Sequence, residues 1–348
     1  KENIEVELYD AYSIPSKGTS RRNSGVMHAG LYYEPNSLKA KLCYEGRRLL
    51  NEYIEKNKLG LRKCGKLLVP HNEQDEQNLE LIYKNSQENR CITELINFKN
   101  ANKIQPYITK REVYLWSPKT NVFDPEEILN TLKRELKEKG CKFNIKRVIR
   151  IDAEGGKLYQ PKDQNVKYDF IYNTAGPEAL TLFKGVSKRY DKLEVLPFLG
   201  EYGVMKDGPD IMTNLYPVPD PKLPFLGVHV TPRCKGMDPI VGPNALPYFK
   251  SYIDEYRKDD IMSLARRTKQ LTRMILSNKD NFRIHALKEI TLAKNKKFRS
   301  EARKYFSNNI RRSIVTEMDK QTYGIRPQLV DTDSNTLVND FKLEVVGK

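Results

Sequence analysis

No apolar run in this 348-residue chain approaches the roughly 18 residues that a membrane helix needs. Cysteine is scarce and scattered: Cys43, Cys64, Cys91, Cys141 and Cys234 are odd in number and form no CxxC pair. That spacing speaks against a disulfide framework or a zinc ribbon and fits free thiols in a reducing compartment. Internal repeats, low-complexity tracts and a clean linker are also lacking. The opening "KENIEVELYD" has neither the apolar core of a signal peptide nor the Arg-rich amphipathicity of a transit sequence, and reads as a strand already inside a fold.

Acidic residues are in deficit. There are 45 Asp and Glu against 61 Lys and Arg, a net charge of +16. The excess is concentrated: residues 257–312 hold seventeen Lys/Arg and five Asp/Glu, a local net of +12. On charge alone the preferred reading is a solvated lysine-rich helical face. The sharper reading is a polyanion-binding surface, with RNA or an acidic protein as partner, presented by Arg266, Arg267, Lys269, Arg273, Lys294, Lys296, Lys297 and Arg299.

The length fits two domains or one large interleaved unit. Residues 4–9 read as a strand, 38–57 as a helix capped by Ser37, "KCGKLLVP" as a strand, and 73–89 as a helix. "FDPEEILNTLKRELKEKG" predicts the clearest helix, with Asp124 as cap, Pro125 in the first turn and Glu127 completing a capping box. "KFNIKRVIRIDAEGGKLYQ" reads as strand, hairpin, strand, and "YDFIYNTAG" as a buried strand entering a tight turn. Residues 195–245 are strand-rich, 250–320 mostly helical, and the segment after 324 returns to strand.

One stretch, "SRRNSGVMHAGLYY" (20–33), scans as neither amphipathic helix nor alternating strand, and suggests backbone held against a ligand. Together with "SLKAKLCYEGRRLL", "CGKLLVP", "NLYPVPDPKLPFLGVHVTP", "VGPNALPYFK" and "YGIRPQ", it resembles the L-2-hydroxyglutarate dehydrogenases. These are FAD-dependent enzymes of the D-amino-acid oxidase superfamily. The resemblance runs from about residue 4 to 342, weakest over 85–115 and 255–320.

The resemblance implies an α/β fold with a flavin-type layer interleaved with an antiparallel substrate-type sheet, here in truncated form. Residues 1–70 and 141–190 are expected in the flavin-type layer, 71–140 as a helical and strand excursion, 191–320 as the sheet with a basic helical lobe, and 321–348 as a return to the layer. It also implies roles. Asp10 would hold the adenosine ribose. Asn23, Ser24 and Gly25 would lie beside the flavin ring, and Gly176 in "NTAG" would form a second flavin-proximal turn. Arg326 would grip a substrate carboxylate in a bidentate pair. Tyr216 and His229 would roof the substrate, and His28 or His229 would handle the hydroxyl proton. Cys64 reads as core packing.

The chain departs from the pattern in several places. It contains no GxGxxG turn for the pyrophosphate and stops before the family's C-terminal flavin-contacting turn. Gly18 stands where the family commonly has histidine, and Leu199, in "FLGEY", where it has arginine. The leading expectation is therefore a degenerate relative without FAD: a non-catalytic subunit of a larger, mitochondrial assembly, with other proteins or RNA as partners. The vacated cleft, lined by Asp10, Asn23 and Gly176, would be open or plugged by a neighbouring side chain, with Arg21 and Arg22 as candidates. The alternative is an active FAD-dependent dehydrogenase that converts L-2-hydroxyglutarate, a small dicarboxylate, to 2-oxoglutarate.

Overall fold

The computed structural model describes residues 4–12, 18–184, 186, 191–219, 226–248, 261–292 and 295–346. Local sequence signals account for its helices. In chain order the first elements are Glu7–Asp10 (β1), Val26–Met27 (β2), Leu38–Lys56 (α1), Leu61–Arg62 (β3), Lys66–Val69 (β4), Glu73–Glu88 (α2), Glu94–Asn97 (β5) and Phe98–Ile104 (α3). The caps of α1, α2 and α3 are Ser37, Asn72 and Asn97, each accepting a backbone N–H of the first turn. Asp340 adds to this at α1, taking the N–H groups of Leu38 and Lys39 at 2.9 Å each.

Val113–Ser117 (β6), Asn121–Phe123 (β7), Pro125–Glu138 (α4), Lys142–Ile145 (β8), Arg150–Asp152 (β9), Lys157–Tyr159 (β10), Asn165–Lys167 (β11) and Ala179–Lys184 (α5) follow. Asp124 caps α4 as its sequence predicts. Glu127 closes no capping box. Its carboxylate is taken by the Gly60 N–H at 3.0 Å and by Lys235 at 3.1 Å, partners from distant segments that local spacing cannot reveal.

The last elements are Leu193–Asp207 (β12), Asn214–Pro217 (β13), His229–Thr231 (β14), Ile240–Gly242 (β15), Leu246–Pro247 (β16), Ile261–Ser277 (α6), Phe282–Leu292 (α7), Asn295–Arg303 (α8), Val315–Asp331 (β17) and Thr336–Leu337 (β18). They build a ten-stranded sheet in the order β18-β17-β12-β15-β14-β13-β4-β6-β5, with β16 on β12. Only the β13–β4 pairing is parallel; the other pairings of this sheet are antiparallel. Residues 321–331, expected in the flavin-type layer, instead run along β12 within this sheet, from Tyr323 opposite Glu201 to Asp331 opposite Leu193.

The alternation of strand side chains sorts the core. Leu67, Val69, Leu215, Val230 and Val241 face Phe298, Ala302, Tyr305 and Phe306 of the α8 region. Leu68, Leu115 and Tyr216 point to the other face, against Leu31, Leu79 and Ile82. Lys66 precedes Leu67 in β4 and so shares the face of Leu68 and Tyr216.

The flavin-type layer is small. β1 and β8 pair in parallel, Glu7 to Asp10 against Lys142 to Ile145. Segment 168–175 is not the buried strand its pattern suggests. It forms no strand in the structure, and Phe170 and Tyr172 are 83% and 88% exposed. Alternating apolar residues become a strand only where a neighbour supplies hydrogen bonds, and none of the described strands flanks this segment. Tyr168 ties it to β1, through its hydroxyl at 2.8 Å from Glu7 and 2.7 Å from Tyr9, and Ile171 packs in the same apolar cluster as Tyr9.

Candidate functional site

The loop after β2 crosses the Lys66 face of the sheet and builds the site. Gly65 allows this. It holds φ at +66°, and a Cβ there would stand 1.9 Å from the Trp116 ring, so the chain turns tightly into β4. Lys66 then enters the interior with no exposed surface. Its Nζ lies 3.1 Å from His28 Nδ1 and 3.3 Å from the Tyr32 hydroxyl. It also sits 4.1 Å from the centre of the Tyr216 ring, over which it makes a cation–π contact.

Tyr216 stacks on His229 with ring centres 3.8 Å apart and planes 12° from parallel. Lysine and histidine cannot share one face at those distances, so the phenol is gripped between them. His229 Nδ1 lies 3.0 Å from the Gly227 carbonyl, which can only accept, so Nδ1 carries the proton and Nε2 the lone pair. That Nε2 is buried without a hydrogen-bond partner. The Tyr216 and Thr231 hydroxyls approach each other but make no well-formed hydrogen bond.

The electrostatics follow from burial. Desolvation pushes Lys66 down to about 7, the nearby Cys43, Cys64 and Cys91 thiols opposing the shift. Burial, with Lys66 adding to it, drives His229 down to about 3 against the Gly227 hydrogen bond. His28 is held well below its ordinary value by burial, by Lys66 and by His229. At neutral pH both imidazoles are uncharged, and Lys66 is balanced between ammonium and amine.

His28, Tyr32 and Tyr33 keep part of their surface accessible. Arg326 is accessible too, yet protein atoms crowd it enough to lower its pKa. Arg326 acts on Tyr33, whose hydroxyl burial lifts to about 12, and on Lys39, which burial and Arg326 lower. Tyr202 joins from β12, in contact with Ser24. The structure thus brings His28, Tyr216 and His229 together around Lys66, places Arg326 within electrostatic reach of Tyr33, and adds Lys66, Tyr32 and Tyr202, which sequence reasoning missed. The available signal for Lys66 was a lone lysine heading the apolar strand "KLLVP".

The expected cofactor residues divide. Asn23 is occupied with its own loop, accepting from Gly25 N at 2.9 Å and donating to Thr19 and Ser20 carbonyls. Gly25 is required by the protein itself, since a Cβ there would stand 2.3 Å from the Phe123 carbonyl oxygen. Arg21 pairs with Glu126 at 2.7 Å, and Arg22 stacks on Tyr323 at 4.4 Å. Both arginines of the expected plug are therefore engaged with the protein. Leu199 sits opposite Ile325, one position from Arg326.

Asp10 ends β1 half-buried, accepts one hydrogen bond, from Tyr12 N at 2.8 Å, and has its pKa raised by burial. Gly176 holds φ at +57° with nothing within 4 Å of where a Cβ would stand. A carboxylate at a strand end, with one oxygen unpartnered among the described residues, and open space beside a backbone turn fit the ribose and ring contacts of a dinucleotide.

Of the expected polyanion surface, Arg266, Lys269 and Arg273 are exposed on α6. Arg267 and Arg299 were expected outward but are half-buried, with guanidinium nitrogens turned inside. Lys294 and the side chains of Lys296 and Lys297 lie outside the described residues. Among the described residues, no helix is long and apolar enough to cross a membrane and no cluster could hold a metal ion.

Residues 1–341 match the FAD dependent oxidoreductase family. The chain is 34% identical over 265 residues to the mitochondrial L-2-hydroxyglutarate dehydrogenase of Caenorhabditis briggsae, covering 72% of this chain and 59% of the relative. It thus spans about three fifths of that relative's length. With the enzyme of the same name from Bos taurus it shares 30% identity over 345 residues, 92% of this chain and 71% of that one. The Escherichia coli L-2-hydroxyglutarate dehydrogenase is 28% identical over 353 residues, covering 97% and 79%. The fold is similar to FAD-bound L-alpha-glycerophosphate oxidase from Mycoplasma pneumoniae, with TM-score 0.62, 20% identity, and 95% and 78% coverage. The chain belongs to the FAD dependent oxidoreductase family, with L-2-hydroxyglutarate dehydrogenases as homologues.

Proposed function

We propose that the protein is an FAD-dependent dehydrogenase that oxidises L-2-hydroxyglutarate to 2-oxoglutarate. The observation that carries this reading is the buried Lys66 cluster. A lysine removed from water with no carboxylate partner costs several kcal/mol. A purely structural subunit gains nothing from holding it against two neutral histidines, whereas a site that moves protons does. The names of the relatives supply the substrate.

Arg326 would bind one substrate carboxylate at the rim. His28, the histidine of the cluster with accessible surface, would take the hydroxyl proton, while Tyr216 and His229 fix the floor beneath it. Asp10, Ser24 and Gly176 would hold the cofactor. A flavin bound there supplies the two-electron acceptor for the hydride. The mitochondrial relatives support a mitochondrial location, although the bacterial one shows that the activity does not require it.

One observation favours the non-catalytic reading. Leu199 replaces an expected arginine next to Arg326, which removes one charge partner for a dicarboxylate. In that case exposed Arg266, Lys269 and Arg273 would face an acidic protein or RNA. Turnover of L-2-hydroxyglutarate with a dye acceptor, followed as 2-oxoglutarate formed, separates the two. The dehydrogenase reading requires product, and an Arg326→Met variant with KM raised roughly a hundredfold, about 3 kcal/mol for a lost charge-assisted pair. Absence of product from flavin-loaded protein sinks it.

A further inference from the structure

The Lys66–His28 contact constrains the imidazole in a way that the dehydrogenase reading does not by itself require. An ammonium has three donors and no acceptor. When Lys66 is charged, His28 Nδ1, 3.1 Å away, must accept from it. The imidazole proton then sits on Nε2, which can only donate. When Lys66 is a neutral amine its lone pair can accept, Nδ1 can carry the proton, and Nε2 is left with a free lone pair.

We propose that Lys66 switches the tautomer of His28, holding it as a donor when charged and freeing it as a base when neutral. The chemistry rests on the dehydrogenase reading of the same site. The substrate hydroxyl gives its proton to Nε2 as Nδ1 passes its own to Lys66 Nζ. One proton enters the ring and one leaves, so His28 remains neutral and Lys66 ends as the ammonium. A bound flavin would accept the hydride. Forming an imidazolium would be opposed by the burial of the ring, and this exchange avoids it.

The surroundings suit a lysine that changes charge. The crossing loop contributes His28 and Tyr32, α1 contributes Cys43, the turn before β5 contributes Cys91, β13 contributes Tyr216, β14 contributes His229, and Cys64 lies two residues before Lys66. No carboxylate is among these groups to pin the ammonium. The Tyr216 face and the Tyr32 hydroxyl stabilise it against burial, and the balance falls near 7. Lys66 has no exposed surface, so it acts on substrate through His28 as a positioning residue.

The test needs neither substrate nor turnover. The full-length protein, labelled with 15N-histidine, is titrated from pH 5.5 to 9.5 by long-range 1H–15N NMR, with His28 assigned by its loss in a His28→Asn variant. The expected result is a pyridine-type nitrogen that moves from Nδ1 to Nε2 with a midpoint near 7 and no imidazolium. In Lys66→Met the switch disappears. In turnover, the rate with substrate falls about tenfold per pH unit below the midpoint in the wild type, while Lys66→Met loses that limb with KM little changed. A tautomer fixed across the range, or an ordinary imidazolium titration, overturns the proposal. If Lys66→Met fails to fold, the wild-type titration alone decides it. A tautomer switch without turnover would leave this proposal standing and overturn the dehydrogenase reading.

Discussion

The ten-stranded sheet and the β1–β8 layer are built to different standards. Leu67, Leu68, Val69, Leu215, Val230 and Val241 in the sheet are wholly buried, and its strands carry long hydrogen-bonded registers such as β12 on β17. The layer rests on one four-residue parallel pair, with Ile145 63% exposed and Phe170 and Tyr172 more so. Apolar surface left open in this way marks a face meant to be covered. The sheet can hold a costly buried lysine because its packing is complete, whereas the layer, with its apolar surface open, contributes less to stability.

The sharpest test of where the chemistry resides is His28→Asn, which keeps the loop polar but removes the base. It should lower kcat about a thousandfold, within the range for loss of a general base, with flavin content unchanged. Next in size, Leu67→Ala should cost about 3 kcal/mol in urea unfolding, as a cavity in a closed core, whereas Phe170→Ala should change stability by less than about 0.5 kcal/mol. Equal effects would erase the contrast between the two regions.

Stability against pH sharpens it further. The folded value of Lys66 near 7 lies below the 10.5 of a free lysine. Between those values the unfolded chain holds a proton that the folded chain lacks, so this group makes stability rise with pH, by about 1.4 kcal/mol per unit. Burial raises Cys43, Cys64 and Cys91, which work in the opposite direction at high pH. The slope is therefore read as the difference between wild type and Lys66→Met, and an unchanged difference from pH 7 to 10 contradicts it. The smallest effect belongs to the layer. The Tyr168 hydrogen bond, with those from Tyr9 and Asn144, holds Glu7 below its usual carboxylate value in spite of desolvation. Its contribution is present above about pH 4.5 and lost as the pH falls further. Glu7→Gln should cost about 1 kcal/mol and speed proteolysis near residue 170 at neutral pH.

Much of this was legible in the sequence where the signal is local. Ser37 and Asp124–Pro125 announce α1 and α4 because caps act within one turn. The family motifs single out His28, Tyr216, His229 and Arg326, and the first three do lie together around Lys66. What failed was non-local. "YDFIYNTAG" has a strand's alternation, but a strand depends on its neighbour. Glu127 has the spacing of a capping box, but Gly60 and Lys235 compete for its carboxylate. Lys66 carries no local signal because its partners come from the crossing loop, about forty residues earlier, and from Tyr216 far along the chain.

The Lys66 face of the sheet is proposed to oxidise a 2-hydroxy dicarboxylate beside a flavin. Anaerobic mixing of the full-length, flavin-loaded protein with L-2-hydroxyglutarate, followed at the flavin absorbance near 450 nm, tests it most directly. The account predicts bleaching by the L enantiomer, none by the D enantiomer, and bleaching slowed about a thousandfold in His28→Asn. A flavin that stays oxidised in the presence of the L enantiomer, or a protein that takes up no flavin at all, would contradict it.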